Sequence, residues 1–238
     1  MIILTLEAFC NHILIRCTKQ ILCDLDDTVC VTKVCKEAYP NLIAGFPEAG
    51  VEPLDPVKKD VIKMETTDNK VTLTDATLYG LKNCEVKEVR IHLKESTWDF
   101  YFTCPLLTIE SKYEIHGKIS TLNIEGKGDT KIVYDTYHIK IRGDYVKILL
   151  DDGDHMKLKN YVVDSNVKGK VEYNFTNLYN GNLEKSIAAH KFLNENWMTT
   201  KETILDPIIN IYMGIFFDHL NKFLDIVPNE ELFTYELD

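Results

Sequence analysis

The chain has 238 residues, 45% of them hydrophobic and 27% charged, enough to bury most of the surface its unfolded form exposes without a disulfide lattice or a structural metal. Its 37 acidic residues outnumber 27 basic ones for a formal charge of −10, and cations never cluster beyond adjacent pairs, which argues against nucleic acid and anionic membrane as partners. No apolar stretch reaches the roughly 18 residues that a membrane-spanning helix needs.

Residues 1–22 are apolar-rich but interrupted by Glu7 and His12, with no cationic start and no A-x-A cleavage pattern. They read as a divergent or misassigned leader, in the position of a signal peptide, and residues 23–238 as a single domain. The seven cysteines, Cys10, Cys17, Cys23, Cys30, Cys35, Cys84 and Cys104, all precede residue 105. None of their spacings is Cys-x-x-Cys and no histidine pair stands at zinc-ligand intervals, so disulfides in an oxidising compartment are expected rather than metal. The odd count leaves at least one thiol free or lost with a leader.

A short helix is expected from Cys30 to Ala44, stopped by Gly45 and by Pro47, Pro53 and Pro56 beyond it. From about Val61 to Tyr173 the apolar residues recur with period two. Trp98, Phe100, Phe102 and Cys104 share one face while Asp99, Tyr101 and Thr103 take the other, as in a half-buried strand. Runs at Val71/Leu73, Val89/Ile91/Leu93, Leu107/Ile109, Tyr113/Ile115, Val133 to Ile141, Met156/Leu158 and Val167 to Tyr173 extend this into a long antiparallel meander. Between Val86 and Val89 the alternation slips by one residue, the signature of a bulge, and bulges bend sheets.

From Leu183 onward the period becomes helical, through Leu183, Ile187, Trp197, Leu205, Ile208, Tyr212, Phe216, Leu220, Phe223 and Val227, with a kink expected at Pro207. Between Ile208 and Phe217 only Asn210 and Gly214 are not apolar, which predicts a helix buried on every side. Strands followed by a long helix, without alternation of the two, give an antiparallel α+β domain.

Motifs of chemistry are scarce. G-x-S-x-G, H-E-x-x-H and P-loop patterns are missing, and Gly126-Lys127-Gly128 lacks the third glycine and following helix of a dinucleotide site. The seven histidines are scattered and read as structural. The acidic clusters Asp24-Leu25-Asp26-Asp27 and Asp151-Asp152-Gly153-Asp154 read as a small loop and a turn, without the distal glutamate of a calcium loop. No metal or cofactor is expected. An apolar interior remains, and on pattern alone a solid core explains it better than a ligand cavity.

The chain resembles the juvenile-hormone-binding and takeout proteins of insects over residues 23–235. The resemblance rests on Cys23-x6-Cys30, Gly45-Phe46-Pro47-Glu48, Leu54-Asp55-Pro56, Gly80-Leu81, Tyr113-Glu114-Ile115-His116-Gly117 and Gly126-Lys127-Gly128-Asp129. It continues through Asn177-Leu178-Tyr179-Asn180-Gly181-Asn182, Asn194-Glu195-Asn196-Trp197 and Pro228 before Glu230-Glu231-Leu232-Phe233. It implies a long C-terminal helix wrapped by a strongly curved antiparallel sheet, with an elongated tunnel between them for terpenoid- or fatty-acid-like ligands. It implies a Cys23–Cys30 disulfide. It also implies a monomeric, secreted, non-enzymatic carrier. Having no cysteine after Cys104, the chain lacks the second disulfide of the juvenile hormone carriers, which favours the takeout-like branch.

The residues expected to line the tunnel are Trp98, Phe100, Phe102, Tyr113, Ile115, Ile209, Tyr212, Met213, Phe216 and Phe217. Asn174-Phe175-Thr176 is an N-glycosylation acceptor, consistent with export. The runner-up function is a lipid hydrolase or isomerase using the same cavity, with His138, near Tyr134, as its base; a third is a solid-core interaction module.

Overall fold

Helix α1, Thr28–Ala44, begins where Asp27 supplies its cap, the carboxylate accepting the N–H groups of Val29 and Cys30 at 3.0 Å each. The computed structural model describes residues 23–47, 50–226, 228–229 and 233–234, so the expected leader, with Cys10 and Cys17, lies outside the described residues. A disulfide joins Cys23 in β1, Cys23–Asp24, to Cys30 in the first turn of α1, and β1 pairs in parallel with β9, Phe233–Thr234. The acidic cluster at residues 24–27 is thus the loop of a small disulfide ring.

Seven strands make the main sheet: β2 Val57–Glu65, β3 Asn69–Tyr79, β4 Glu85–His92, β5 Thr97–Ile119, β6 Leu122–Leu150, β7 Gly153–Val167 and β8 Val171–Phe175. All their pairings are antiparallel. The long hairpin of β5 and β6 is the spine. Along the far edge of β5, β3 faces residues 108–117 and β4 continues along residues 97–103. Along the far edge of β6, β7 faces residues 137–150 and β8 continues along residues 130–134.

These interruptions fall at one level and make a crease across the sheet. The chain leaves the β5 edge for a 3-10 turn at Leu81–Asn83 and the β6 edge for a turn at 168–170. On the spine, β5 has Pro105, which has no N–H to give the ladder, and β6 has Thr136 at φ 50°. Cys104 still pairs with Tyr137 and Leu106 with Asp135, so register survives while the inward phase jumps from Cys104 to Leu107 and from Tyr134 to Tyr137. A second disulfide, Cys84–Cys104, ties the crease together. Gly80 belongs here because its φ is 108° and a Cβ would lie 2.3 Å from the Leu106 carbonyl. The Asp55 carboxylate accepts the N–H of Lys82 at 2.9 Å and of Gly80 at 3.3 Å, which is why Leu54-Asp55-Pro56 and Gly80-Leu81 occur in one chain.

The bulge expected in β4 is present between Val86 and Glu88, and a further one, at Asp75 with φ 53°, interrupts β3. At the β4 edge, Thr32 of α1 donates to the Val89 carbonyl at 3.2 Å and accepts its N–H at 2.9 Å, closing a strand edge that no strand among the described residues covers.

The C-terminal helices are α2 Leu183–Glu195, α3 Trp197–Thr200 and α4 Asp206–Leu224, with a π-helical turn at Lys201–Leu205 just before Pro207. The widened turn sits at the carbonyls that a proline ring crowds, at the place where the kink is expected. Two expectations are corrected. Leu183 and Ile187 are 73% and 61% exposed, because α2 lies on the sheet edge and turns only Ala189 and Leu193 fully inward. Helix α4 is not buried on every side: Ile208, Ile209, Tyr212, Met213, Phe216 and Phe217 are buried, Ile211 and Ile215 are half-buried, and Asn210 is exposed. The curled sheet is open and covers one face of α4, leaving the opposite face at the surface.

Candidate ligand-binding interior

The inward residues of β5 meet α4 ring to ring. Trp98 lies 5.2 Å from Phe217 between ring centroids, and Phe100 and Phe102 each lie 6.0 Å from Phe216. Tyr161 of β7 stacks on Phe217 at 4.3 Å, and a Cβ at Gly214 would sit 3.1 Å from the Tyr161 hydroxyl, so the glycine gives this ring its room. Asn221 fixes the helix along β7, its carboxamide accepting from the Leu158 N–H at 2.8 Å and donating to the Leu158 carbonyl at 3.0 Å. Buried His155 joins the Leu224 carbonyl at 2.8 Å to Asp152 at 3.0 Å, so the second acidic cluster is the β6–β7 turn and helps anchor the end of α4.

All ten expected lining residues are buried, between 0% and 9% exposed. They do not form one group. Trp98, Phe100, Phe102, Phe216 and Phe217 share the ring contacts just described, with Ile209, Tyr212 and Met213 on the same buried face of α4. Tyr113 and Ile115 lie past the crease, up to roughly 36 Å and roughly 43 Å along the strand from Phe102 at about 3.3 Å per residue. There Tyr113 packs edge-on against Phe175 at 4.9 Å, and its hydroxyl donates to the Thr176 carbonyl at 2.6 Å. Burial pushes that phenol up to about 12.

The period-two reading missed a polar constellation at the crease. Tyr134 and Tyr137 are fully buried, with ring centroids 5.3 Å apart, although three residues of separation would set them on opposite faces of a regular strand. The left-handed residue Thr136 turns both inward. Among the described residues neither hydroxyl has a hydrogen-bond partner, nor does that of Tyr212 on α4, nor Ser111 Oγ on β5. Beside them Lys201, 7% exposed, pairs with Asp206 at 2.5 Å and lies 6.0 Å from the Tyr137 ring centre. Burial raises the Tyr134 phenol well above its usual value, and the charges and dipoles of Tyr137, Tyr173, Asp206 and Tyr212 raise it further. Burial raises Tyr137 and Tyr212 as well; close approach to Ser165 pulls Tyr137 partly back without a hydrogen bond of good geometry.

His138 faces the other way. Its Nδ1 lies 2.6 Å from the Tyr101 hydroxyl and 3.2 Å from Thr103 Oγ1, on the outer face of the sheet and away from the inward-turned Tyr134. Asn174 is also on the outer face, exposed, at an open groove of about 460 Å³ lined mainly by polar residues such as Asp75, Glu110, Lys131 and Thr176. Cys35 is the one free thiol among the described residues, and burial pushes it up to about 12.

One helix laid on the ring-lined face of a curled antiparallel sheet defines an α+β protein whose interior is almost wholly apolar. A crystal structure of Takeout 1 from Epiphyas postvittana has this fold, with a TM-score of 0.85 at 30% identity, covering 90% of this chain and 99% of that one. The circadian clock-controlled protein daywake of Drosophila melanogaster is 26% identical over 226 residues, 90% of this chain and 86% of its own length; its Drosophila yakuba counterpart is 25% identical over the same span. The haemolymph juvenile hormone binding protein family matches residues 5–234, and the chain belongs to that family, whose members bind hydrophobic ligands.

Proposed function

We propose that the protein is a secreted carrier that reversibly takes up a small hydrophobic ligand, terpenoid-like or fatty-acid-like, in a tunnel between α4 and the sheet, without bond chemistry. The observation that carries this reading is the ring-lined face of β5 opposed by α4, in a chain of a ligand-binding family. The lining is assigned to Trp98, Phe100, Phe102, Ile209, Tyr212, Met213, Phe216 and Phe217, with Tyr113 and Ile115 at the far end. At about 0.8 kcal/mol per buried CH₂, a chain of some fifteen carbons gains roughly 12 kcal/mol gross, and the costs of association bring this to micromolar or high-nanomolar affinity.

Two disulfides and the exposed acceptor Asn174 support export and glycosylation. The inward apolar face, not the polar outer groove, suits a lipid. The test is native mass spectrometry and lipid extraction of protein secreted from insect cells, with enzymatic deglycosylation alongside. A co-purifying lipid and a mass shift lost in Asn174→Gln are expected. Protein that arrives empty and binds no lipid probe overturns the carrier reading, and protein retained in the cytosol overturns export.

A further inference from the structure

The carrier reading makes no use of the groove on the outer face of the sheet, an open depression of about 460 Å³ over β3, β5, β6 and β8. One cross-strand row runs along it: Asn174 stands opposite Lys131, Lys131 opposite Glu110, and Glu110 opposite Thr77. Neighbouring strands lie about 4.8 Å apart, so the row spans roughly 14 Å from Asn174 to Thr77. On β3 two residues, Asp75 and Ala76, stand against Ser111 alone, and this bulge bends the strand and turns the Asp75 carboxylate out towards Lys112, 3.4 Å away. Two residues beyond Thr77 and on the same face, Tyr79 supplies the one aromatic ring of the lining, 40% exposed.

The charges of the groove balance one another. Lys112 pairs with Asp75 and Lys131 with Glu110 at 2.8 Å, so that, counting Asp129, three carboxylates meet two ammonium groups. Donors and acceptors side by side with little net charge suit an uncharged polyhydroxy molecule better than an ion. Tyr79 adds a flat apolar surface on which the C–H face of a pyranose ring can lie. Contacts this exposed hold a free sugar weakly, but a tethered one is presented at an effective concentration of about millimolar and stays with little affinity of its own. The tether is on the rim. Phe175 of the triplet Asn174-Phe175-Thr176 points inward, which leaves the Asn174 and Thr176 side chains together on the outer face.

We infer that the groove seats the core of an N-linked glycan carried by Asn174, with the two N-acetylglucosamines crossing Lys131 and Glu110 and a following ring lying on Tyr79. This rests on the glycosylation reading above and is independent of what the interior binds. Strand β8 is five residues long and pairs with β6; its other edge is met by the Asn194 and His190 side chains rather than by a strand. A seated glycan links it to β5 and β3 as well, so the sugar acts as a clamp across four strands.

The test uses full-length protein secreted from kifunensine-treated cells, whose oligomannose glycans endoglycosidase H cuts between the two N-acetylglucosamines. Intact mass, with Asn174→Gln alongside, first reports whether Asn174 is glycosylated; a parent without a glycan overturns the glycosylation reading on which the seat depends. In the glycosylated parent, release from the native protein is expected to be about tenfold slower than from the unfolded protein, because only the unseated fraction is cut. Tyr79→Ala and Lys112→Ala, both at exposed side chains outside the lipid-lining interior, should each speed native release about threefold or more. The parent should also melt about 2 °C higher with its glycan than after trimming, a difference that Tyr79→Ala removes. Release at the unfolded rate, or equal midpoints before and after trimming, overturns the seat while leaving Asn174 a glycosylation site. Protection or a melting difference that survives in both variants places the glycan elsewhere and overturns it equally.

Discussion

The sheet has two halves that share one spine and are held together differently. On the side of Trp98 and α4, rings pack on rings and the helix adds Phe216 and Phe217 to the contacts. On the side of Tyr113 and α2, polar side chains substitute for strand partners. Asn194 of α2 accepts the Tyr173 N–H at 2.8 Å and donates to its carbonyl at 3.1 Å, and His190 accepts the Phe175 N–H at 3.0 Å. Asn177 donates to the Lys127 carbonyl at 2.8 Å, where a Cβ at Gly126 or Gly128 would strike the crossing segment at 3.0 Å or less. The first half is specified by volume and the second by hydrogen-bond geometry. Between them lies the crease, where Tyr134 and Tyr137 are turned inward together.

Truncation of Phe216 should have the largest effect. It touches Phe100, Phe102 and Phe217, so Phe216→Ala is expected to cost about 3–5 kcal/mol in the empty protein, by denaturant unfolding. Met213→Ala, at a flexible unbranched side chain, should cost less and weaken lipid-probe binding more. A loss below about 1 kcal/mol for Phe216 would mean that the aromatic half already borders a void, and the contrast with the crease would vanish.

The crease itself is probed through its disulfide. Replacing both Cys84 and Cys104 by serine opens a loop with a sequence separation of 20, worth about 3 kcal/mol by loop entropy. Loss of the Cys23–Cys30 bridge, with a separation of 7, should cost about 2.5 kcal/mol by the same relation. If the first pair mattered less than the second, the crease would be held by its turns rather than by its covalent tie.

For the polar half, Asn194→Ala leaves the N–H and carbonyl of Tyr173 without their partner at the edge of β8. A loss of about 1–3 kcal/mol is expected, with hydrogen exchange rising at Tyr173 and its neighbours in β8 before it rises in β7. Uniform acceleration over both strands would show that β8 does not open as a separate unit.

How much of this was legible in the chain follows from the same division. Strand alternation at Trp98, Phe100 and Phe102 reads directly, because a face buried by rings leaves an unbroken period of two. The slip at Val86–Val89 was visible as a missing beat. Tyr134 and Tyr137 were not legible, since a left-handed residue between them puts on one face what periodicity divides between two. The Cys84–Cys104 bridge depends on where β3 ends and β4 resumes along β5, which local pattern does not give. The asparagine and glycine motifs stood out as a family signature, and in the fold they close backbone edges and admit a crossing segment. Helix α4 misled for a different reason: an open sheet leaves one side of an apolar helix at the surface, and composition cannot say which side.

The smallest expected effect concerns the outer face, where the two halves differ again. Beyond the crease, Lys112–Asp75 and Lys127–Glu114 are ion pairs with every side chain more than 60% exposed, and pairs of this kind contribute little. In the aromatic half Asp99, with a side chain 15% exposed, lies 2.9 Å from both His92 Nε2 and Arg142 Nε and so links β4, β5 and β6. Burial alone would raise the Asp99 carboxyl, but the hydrogen bonds from His92 and Arg142 outweigh it and hold the group below its usual value. A carboxyl lowered in this way stabilises the fold fully above its unfolded pKa, near 4, and the contribution is lost as pH falls through the lower folded value. Asp99→Asn should therefore cost at most about 1 kcal/mol at pH 7, and the gap between variant and parent should close as the pH is taken from about 4 towards 2. Asp75→Asn should show no comparable gap at either end. A gap for Asp99→Asn that stays constant down to acid pH would assign the residue's effect to shape rather than charge, and the outer faces of the two halves would then be equivalent.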